Sequence, residues 1–280
     1  MAGIFSLRKF SDIDLSDPFF ESLKSDYQGS DKTAEFSTWF KNKAREGRTA
    51  LVFDDDEGLG AFIAIKSEAE EIELDELTLP AIQRLKICTF LIAPRFRGQR
   101  LGEGALGLVL WKWQDFGYDE VYVTVYDSHQ DLIGQLTKFG FTLAGHRDGE
   151  GVYIKSRRNI DYSDPYKSFP FINPDFDESG YLVVNDYFHD TLFPYSELKR
   201  NNLDKVILDV SNGLSKIYIG SPTSELGFKA GDPVFVYRKY TGPGSKGYNS
   251  CVTTFCMVKN ITWVKKNGKA SLTYDEYLNR

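Results

Sequence analysis

Apolar positions in the first 157 residues follow two rhythms. Gly47–Phe53 and Leu59–Lys66 are short, largely apolar stretches on either side of the acidic turn Asp54–Glu57, a pattern that predicts a β-hairpin. Ile87–Ala93 is a continuous apolar run stopped by Pro94, as a buried strand would be. Glu120–Tyr126 (EVYVTVY) alternates and is rich in β-branched residues, so it reads as a further strand. The other rhythm is helical. Ala105–Phe116 predicts a long helix. Asp131–Phe139 places Leu132, Ile133, Leu136 and Phe139 on one helical face, with Asp127 or Ser128 as the expected cap. Thr142–His146 and Gly151–Lys155 then predict a strand pair around the turn His146–Glu150.

The junction between the Ile87 strand and the helix after it carries the clearest chemistry. It reads Arg95-Phe96-Arg97-Gly98-Gln99-Arg100-Leu101-Gly102-Glu103-Gly104. A strand, a basic glycine turn and a helix start together make an anion cradle. Glycine lets main-chain N–H groups approach closely, the helix N-terminus adds its dipole, and arginine adds forked cationic donors. A P-loop would need Gly-Lys-Ser/Thr here, but Gly104 is followed by Ala105 and Leu106. A dinucleotide fingerprint would need Gly-x-Gly-x-x-Gly, and the spacing of Gly98, Gly102 and Gly104 differs from it.

Arg97-Gly98-Gln99-Arg100-Leu101-Gly102 resembles motif A of the GNAT acetyltransferases, a pattern of Arg/Gln-x-x-Gly-x-Gly/Ala after a central strand, and Lys138-Phe139-Gly140-Phe141 resembles the close of that family's last helix. The likeness extends over about residues 1–157. It implies a mixed-sheet acetyltransferase domain that uses acetyl-CoA. The implied cofactor residues are Phe90, Leu91, Ile92, Arg95, Arg97, Gly98, Gln99, Arg100, Leu101, Gly102, Glu103 and Gly104. One position departs from the pattern: Arg100 stands where the middle glycine is usual. That is harmless if Arg100 keeps a helical backbone and consequential if the position needs positive φ. Glu103 is an unexpected anion in such a turn and could serve the helix from its first turn.

Many relatives in that family carry an Asn before the last helix and a proton-donating Tyr near its end. Aligned back from Gly140-Phe141, those positions are His129 and Leu136. Leucine cannot donate a proton. His129, with an unperturbed pKa near 6.5, is the local substitute, or else a helix-start residue bonded to backbone. Tyr122, Tyr126 and Tyr153 are alternative donors, of which Tyr126 is taken with His129 as a catalytic candidate. Strand Ile87–Ile92 has no carboxylate, so a base must come from elsewhere, and Glu76 in the acidic stretch Glu68–Glu76 is the candidate. Cys88 could be imagined as an acyl carrier, but a lone cysteine in an apolar strand is more often core. The expected reaction is therefore direct transfer to an amine, without a covalent acyl-enzyme.

Composition bounds this reading. The chain has 280 residues, enough for two domains, and is 41% apolar and 15% aromatic, enough to build real cores. It has no apolar run of membrane-spanning length and no secretory signal pattern at its start, so no membrane association is expected. Its three cysteines, Cys88, Cys251 and Cys256, fit no disulfide framework, so a reducing cytoplasm is expected. No Cys/His pair has ligand spacing, so no metal is expected. Residues 1–157 hold 19 Lys and Arg against 26 Asp and Glu, a net of −7 within the chain's −6, so the remainder is +1. The acidic runs are a solvated face or, functionally, a lure for a cationic acceptor.

Ser163-Asp164-Pro165 marks a boundary, and the texture beyond it is strand-rich. Tyr181–Val184, Lys205–Asp209, Lys216–Ile219, Pro233–Tyr237, Ser250–Val258 and Ala270–Thr273 read as short strands divided by glycine turns. Lys216–Pro222 followed by Phe228–Arg238, with its Gly231-Asp232 turn, resembles PUA-like barrels of the ASCH and EVE type. That likeness implies an RNA or nucleotide partner. Tyr237, Arg238, Lys239, Tyr240 and Lys246 supply rings and cations for it.

The sequence is thus expected to form an α+β two-domain protein. A GNAT mixed-sheet domain occupies 1–157, a linker 158–184 and a small PUA-like β-barrel 185–280. The expected activity is acetyl-CoA-dependent N-acetylation of an amine carried by RNA or tRNA. The alternatives are a protein or small-amine acceptor with the barrel as scaffold, and a non-catalytic CoA-sensing regulator that binds nucleic acid. Oligomeric state is left open.

Overall fold

The apolar runs of the first half become neighbours in one seven-stranded sheet, seen in a computed structural model that describes residues 4–26, 32–98, 100–193, 214–220, 226–266 and 268–278. The chain divides into two compact units, residues 1–171 with 190–218, and residues 172–189 with 219–280.

In the first unit the elements run β1 (Ile4–Lys9), α1 (Glu21–Asp26), α2 (Lys32–Arg45), β2 (Thr49–Asp55), β3 (Gly58–Glu68), β4 (Ile72–Glu73), β5 (Thr78–Leu79) and β6 (Arg84–Ile92). They continue through α3 (Leu101–Phe116), β7 (Glu120–Tyr126), α4 (Gln130–Lys138), β8 (Thr142–Arg147), β9 (Glu150–Ser156) and α5 (Pro165–Ser168). The large sheet has the order β1-β2-β3-β6-β7-β9-β8. Every neighbouring pair in it is antiparallel except β6 and β7. Parallel strands need a long crossover, and α3 supplies it.

Strand alternation sends residues to two different cores. On one face Ile63, Leu85, Ile87, Val121, Val123 and Val125 pack against Ala105, Leu106, Val109 and Trp113 of α3 and Leu136 of α4. Buried aliphatic side chains such as Leu106, Val109 and Leu110 each contribute about 1.5–3 kcal/mol. On the other face Val52, Phe62 and Ala64 meet Phe10, Phe20, Phe36 and Phe40, a cluster of rings in edge-on and tilted contact. Phe36 and Phe40 stand four apart on α2, which gives that helix its buried stripe.

The domain limit differs from the sequence expectation, and the reason is the back of α3. Trp111 meets Phe169 and Trp113 meets Phe171, so residues 160–171 cover a helix that would otherwise leave apolar surface in water. Lys155, only 2% exposed, donates to the carbonyls of Phe139 and Lys167, both at 2.6 Å, and so fastens α5 to the sheet. Burial lowers its pKa to about 7. The expected linker is therefore part of the folded units.

The second unit holds β10 (Gly180–Asn185), the start of α6 (Asp186–Leu192), β11 (Pro233–Lys239), β12 (Cys251–Met257), β13 (Lys265–Lys266), β14 (Lys269–Ala270) and α7 (Tyr274–Leu278). A three-stranded sheet β10-β11-β12 and the two-stranded β13-β14 are its sheets, and among the described residues they do not close into a barrel. Three of the expected strands are found, close to β10, β11 and β12. Lys216–Ile219 is without strand structure, and Ile217 and Ile219 lie exposed. The expected Ala270–Thr273 strand is reduced to β14. The expected strand Lys205–Asp209 lies outside the described residues. The Gly-Asp turn does form. Gly231 has φ +95°, and the Asp232 carboxylate accepts from the Lys229 N–H at 2.8 Å.

Candidate active site

The site begins where two central strands part. Strands β6 and β7 are paired from Arg84↔Glu120 to Ile87↔Val123 and no further, although β6 runs on to Ile92 and β7 to Tyr126. Each remains fastened to its outer neighbour over that stretch, β6 to β3 as far as Ala61↔Ile92 and β7 to β9 as far as Tyr126↔Glu150. The register of β6 explains the parting. Ala64 opposes Thr89 while Ile65 opposes Ile87, so Cys88 is an extra residue, a β-bulge that bends β6 away from β7. Main-chain groups on the two diverging edges face a gap that an extended ligand can bridge.

A cavity of about 490 Å³ opens over the parting on the α2 side of the sheet. Phe10, Phe36 and Trp39 form its apolar wall. Cys88 and Thr89 both line it, although neighbours in a regular strand face opposite ways; the bulge turns both toward one side. Burial raises the Cys88 thiol's pKa, so it is held as a thiol. Lys43, Arg48, Lys66 and Lys86 also line the cavity, and Glu150 is the one carboxylate among the described lining residues.

The other face of the parting meets the N-terminus of α3. The first amide bonded back in that helix is Gly104, to the Arg100 carbonyl at 3.0 Å, so the N–H groups of Leu101, Gly102 and Glu103 lie at its open end. Gly98 has φ +76°. Arg100 has φ +62° and ψ +4°, a left-handed conformation in a residue with a side chain. The departure noted in the sequence therefore falls on a position that favours glycine, at a cost of about 1–2 kcal/mol. Gln135 of α4 reaches this cradle. Its Oε1 would lie 2.9 Å from a Cβ placed on Gly102, and its buried Nε2 has no hydrogen-bond partner among the described residues. Open amides and an unpartnered buried donor suit a polyanionic ligand with polar atoms behind the anion.

The expected cofactor residues divide into three groups. Gly98, Arg100, Gly102 and Gly104 shape the cradle, and Arg97 and Arg100 are exposed beside it. Arg95 is turned to the fold: it donates to the Asp55 carboxylate at 2.8 Å and to the Gly58 carbonyl at 3.0 Å. Glu103 also works inward, paired with Lys138 of α4 at 3.0 Å and accepting from the Tyr166 hydroxyl at 3.2 Å. Leu101 is buried in the α3 core, Phe90 and Ile92 pack on the same side, and Leu91 packs on the α2 side. Gln99 lies outside the described residues.

Of the three catalytic candidates, His129 and Tyr126 stand together and Glu76 stands apart. His129 is the N-cap residue of α4, its N–H bonded to the Tyr126 carbonyl at 3.0 Å and its ring 6.4 Å from the Tyr126 ring. Both stand at the end of β7 and neither lines the cavity. Glu76 is exposed on the turn between β4 and β5. Glu150, Arg48, Lys86 and Gln135 are site residues that the sequence reading missed. A lysine breaking each of two apolar strands, Lys66 and Lys86, was the available signal.

In the second unit Arg238 is buried and donates to the Asn249 carbonyl at 2.8 Å, so it does not serve as a surface cation. Lys239 and Lys246 are exposed, Tyr237 and Tyr240 are half-buried, and the Tyr240 hydroxyl donates to the Pro243 carbonyl at 3.2 Å. Among the described residues no helix is long and apolar enough to cross a membrane, and no group of three or more His, Cys, Asp or Glu could hold a metal ion.

The bulged, parted strand pair thus has an open helix N-terminus on one face and a cavity on the other. Comparison with known proteins finds a family match for part of the chain. Residues 16–141 match the acetyltransferase (GNAT) family, which supports a GNAT-type mixed-sheet domain over that stretch of the first unit. Similar solved structures include an N-acetyltransferase from Staphylococcus aureus Mu50, 14% identical, covering 56% of this chain and 99% of its own, with TM-score 0.41. Another is the PaiA N-acetyltransferase from Thermoplasma acidophilum in complex with coenzyme A, 16% identical, covering 54% and 98%, with TM-score 0.38. A third is Arabidopsis thaliana Naa50 with a CoA-Ac-MVNAL bisubstrate analogue, 18% identical, covering 54% and 98%, with TM-score 0.35. No curated protein matches the chain.

Proposed function

We propose that the first unit is an acetyl-CoA-dependent N-acetyltransferase acting by direct transfer to an amine. The observation that supports this most is the parting of β6 and β7 after Ile87↔Val123, with open α3 amides on one face and the cavity on the other. Acetyl-CoA supplies an activated acetyl thioester and a pyrophosphate. The amides of Gly98 and of Leu101, Gly102 and Glu103 hold the pyrophosphate, helped by the exposed Arg97 and Arg100. Gln135 Nε2 donates to polar atoms behind it. Main-chain N–H groups along Cys88–Ile92 orient the carbonyl and stabilise the charge that develops on its oxygen.

The acceptor enters from the cavity. Glu150 takes the proton the amine must lose, and His129 or Tyr126, at the end of β7, provides the proton for the departing thiolate. Cys88, held as a thiol, does not carry the acyl group. A small-amine acceptor fits a cavity of about 490 Å³ better than an RNA-borne one. Of the RNA-binding candidates, Arg238 is committed internally and Lys239 and Lys246 remain at the surface.

Isothermal titration of the full chain with acetyl-CoA tests the cofactor half of this reading. Gly102→Val puts a branched side chain among the open amides and against Gln135. Affinity should fall at least about 30-fold, the worth of one or two charge-assisted contacts. Undiminished affinity in that variant would remove the cradle from the cofactor site.

A further inference from the structure

We infer that the acceptor is a primary amine that also bears an anionic group and an apolar, ring-sized body. This rests on the proposed transfer reaction and names its acceptor.

The cavity's charge runs against that of the unit around it. Residues 1–157 carry a net charge of −7, yet the described lining holds four cations and one carboxylate. Two of the cations are compensated. Lys43 pairs with Glu46 at 2.8 Å, and Lys66 pairs with Glu68, which also accepts from the Tyr122 hydroxyl. For the other two the described residues supply no carboxylate partner. Arg48 donates to the Ile65 carbonyl at 3.0 Å, and the Lys86 ammonium lies over the Tyr122 ring, 5.3 Å from its centre.

The sheet register sharpens the point. Lys66 and Lys86 are directly opposite each other across β3 and β6, and like charges in that position repel. Both line the cavity. Glu68 offsets Lys66, so the positive charge left at the cavity is that of Lys86 and Arg48, and an anion entering beside them is favoured. Lys86 is half-buried, and a cation partly withdrawn from water interacts more strongly with an incoming anion than a fully exposed one does; Arg48 is exposed at the rim. Opposite chemistry is also at hand: Glu150 suits the amine, and Phe10, Phe36 and Trp39 suit a ring or branched aliphatic body. A cavity of about 490 Å³ is the size of a small-molecule site. Amine, anion and ring on one small molecule describe an aromatic amino acid or its phosphonate counterpart. The expectation that the acidic runs lure a cationic acceptor is thus reversed at the cavity itself.

Three matched amines test this with the full chain and acetyl-CoA: phenylalanine, its aminophosphonate analogue and 2-phenylethylamine, which lacks the anion. An anionic member should exceed 2-phenylethylamine in kcat/KM by about 30-fold, as one or two charge-assisted contacts would give. The better of the two anionic compounds tells whether the site is built for carboxylate or for a phosphate-like group. In Lys86→Met and Arg48→Met the ratio of anionic to neutral acceptor should collapse toward a few-fold.

A binding arm keeps the inference separate from the reaction. Calorimetry of N-acetylphenylalanine and N-acetyl-2-phenylethylamine, each with CoA present, should favour the anionic compound in wild type and lose that preference in Lys86→Met. Equal binding of the two by wild type, or equal kcat/KM, overturns the inference. Absence of acetyl-CoA binding would instead overturn the transfer reaction, and the preference between the two N-acetyl compounds without CoA would still decide the acceptor question.

Discussion

Strands β6 and β7 are one pair with two unlike halves. From Arg84 to Ile87 and Glu120 to Val123 they are hydrogen-bonded in register, with Leu85, Ile87, Val121 and Val123 buried. Arg84 is 2% exposed, pairs with Glu120 at 2.7 Å and donates to the Pro80 carbonyl at 2.8 Å. From Cys88 to Ile92 and Thr124 to Tyr126 the same strands part and most of their residues are half-buried. The paired half satisfies its polar groups internally. The parted half leaves strand edges and a bulge for a ligand. One extra residue, Cys88, separates a structural half from a functional one.

This contrast can be broken at either end. The largest effect is expected at the paired end. Arg84→Met leaves Glu120 and the Pro80 carbonyl without their partner and should destabilise the chain by about 3–5 kcal/mol, read by urea denaturation. A loss under about 1 kcal/mol would mean that the pair does not hold this end.

Lys155, opposite Val121 on the same half, predicts a pH dependence. Its pKa is about 7 when folded and near 10.5 as a free lysine, so between these values the unfolded chain binds more protons. Stability from this group therefore rises as pH goes from 7 to 10.5 and is flat below 7. The slope is about 1.4 kcal/mol per pH unit at most. In Lys155→Met that component of the slope should vanish; identical wild-type and variant slopes would refute the assignment.

At the parted end the expected losses are in turnover. His129→Gln should reduce kcat by about 100-fold while acetyl-CoA affinity, by calorimetry, holds. A decrease of only a few-fold would make His129 a helix-start residue and turn attention to Tyr126. The smallest effect is at Arg100. Replacing it with glycine relieves a left-handed residue and should add about 0.5–1 kcal/mol of stability while weakening acetyl-CoA binding by a few-fold. Gain in stability with no change in affinity would show that its side chain does not reach the cofactor.

From Gly47 to Lys155 the main strands and helices were legible from periodicity, because each buries a face whose spacing is local, whereas β1, α1, α2 and the short β4 and β5 were not read from the sequence. The turn Arg97–Gly104 was legible as an anion cradle for the same reason: glycines and a helix start are contiguous in the chain. The barrel expected beyond residue 185 was not found among the described residues. Short alternating runs fix that a strand can form, but not which neighbour pairs with it, and Lys216–Ile219 forms none.

What the sequence determined by itself was the mixed strand and helix grammar of the first unit and the turn that carries its family likeness. Tertiary structure decided the rest. It turned Arg95 and Glu103 inward onto Asp55 and Lys138. It carried residues 160–171 back over α3, because that helix is apolar nearly all round. It set Lys66 against Lys86 and brought both to one cavity wall with Arg48 and Glu150. Those four residues are separated by up to about a hundred positions, and only strand register makes them neighbours.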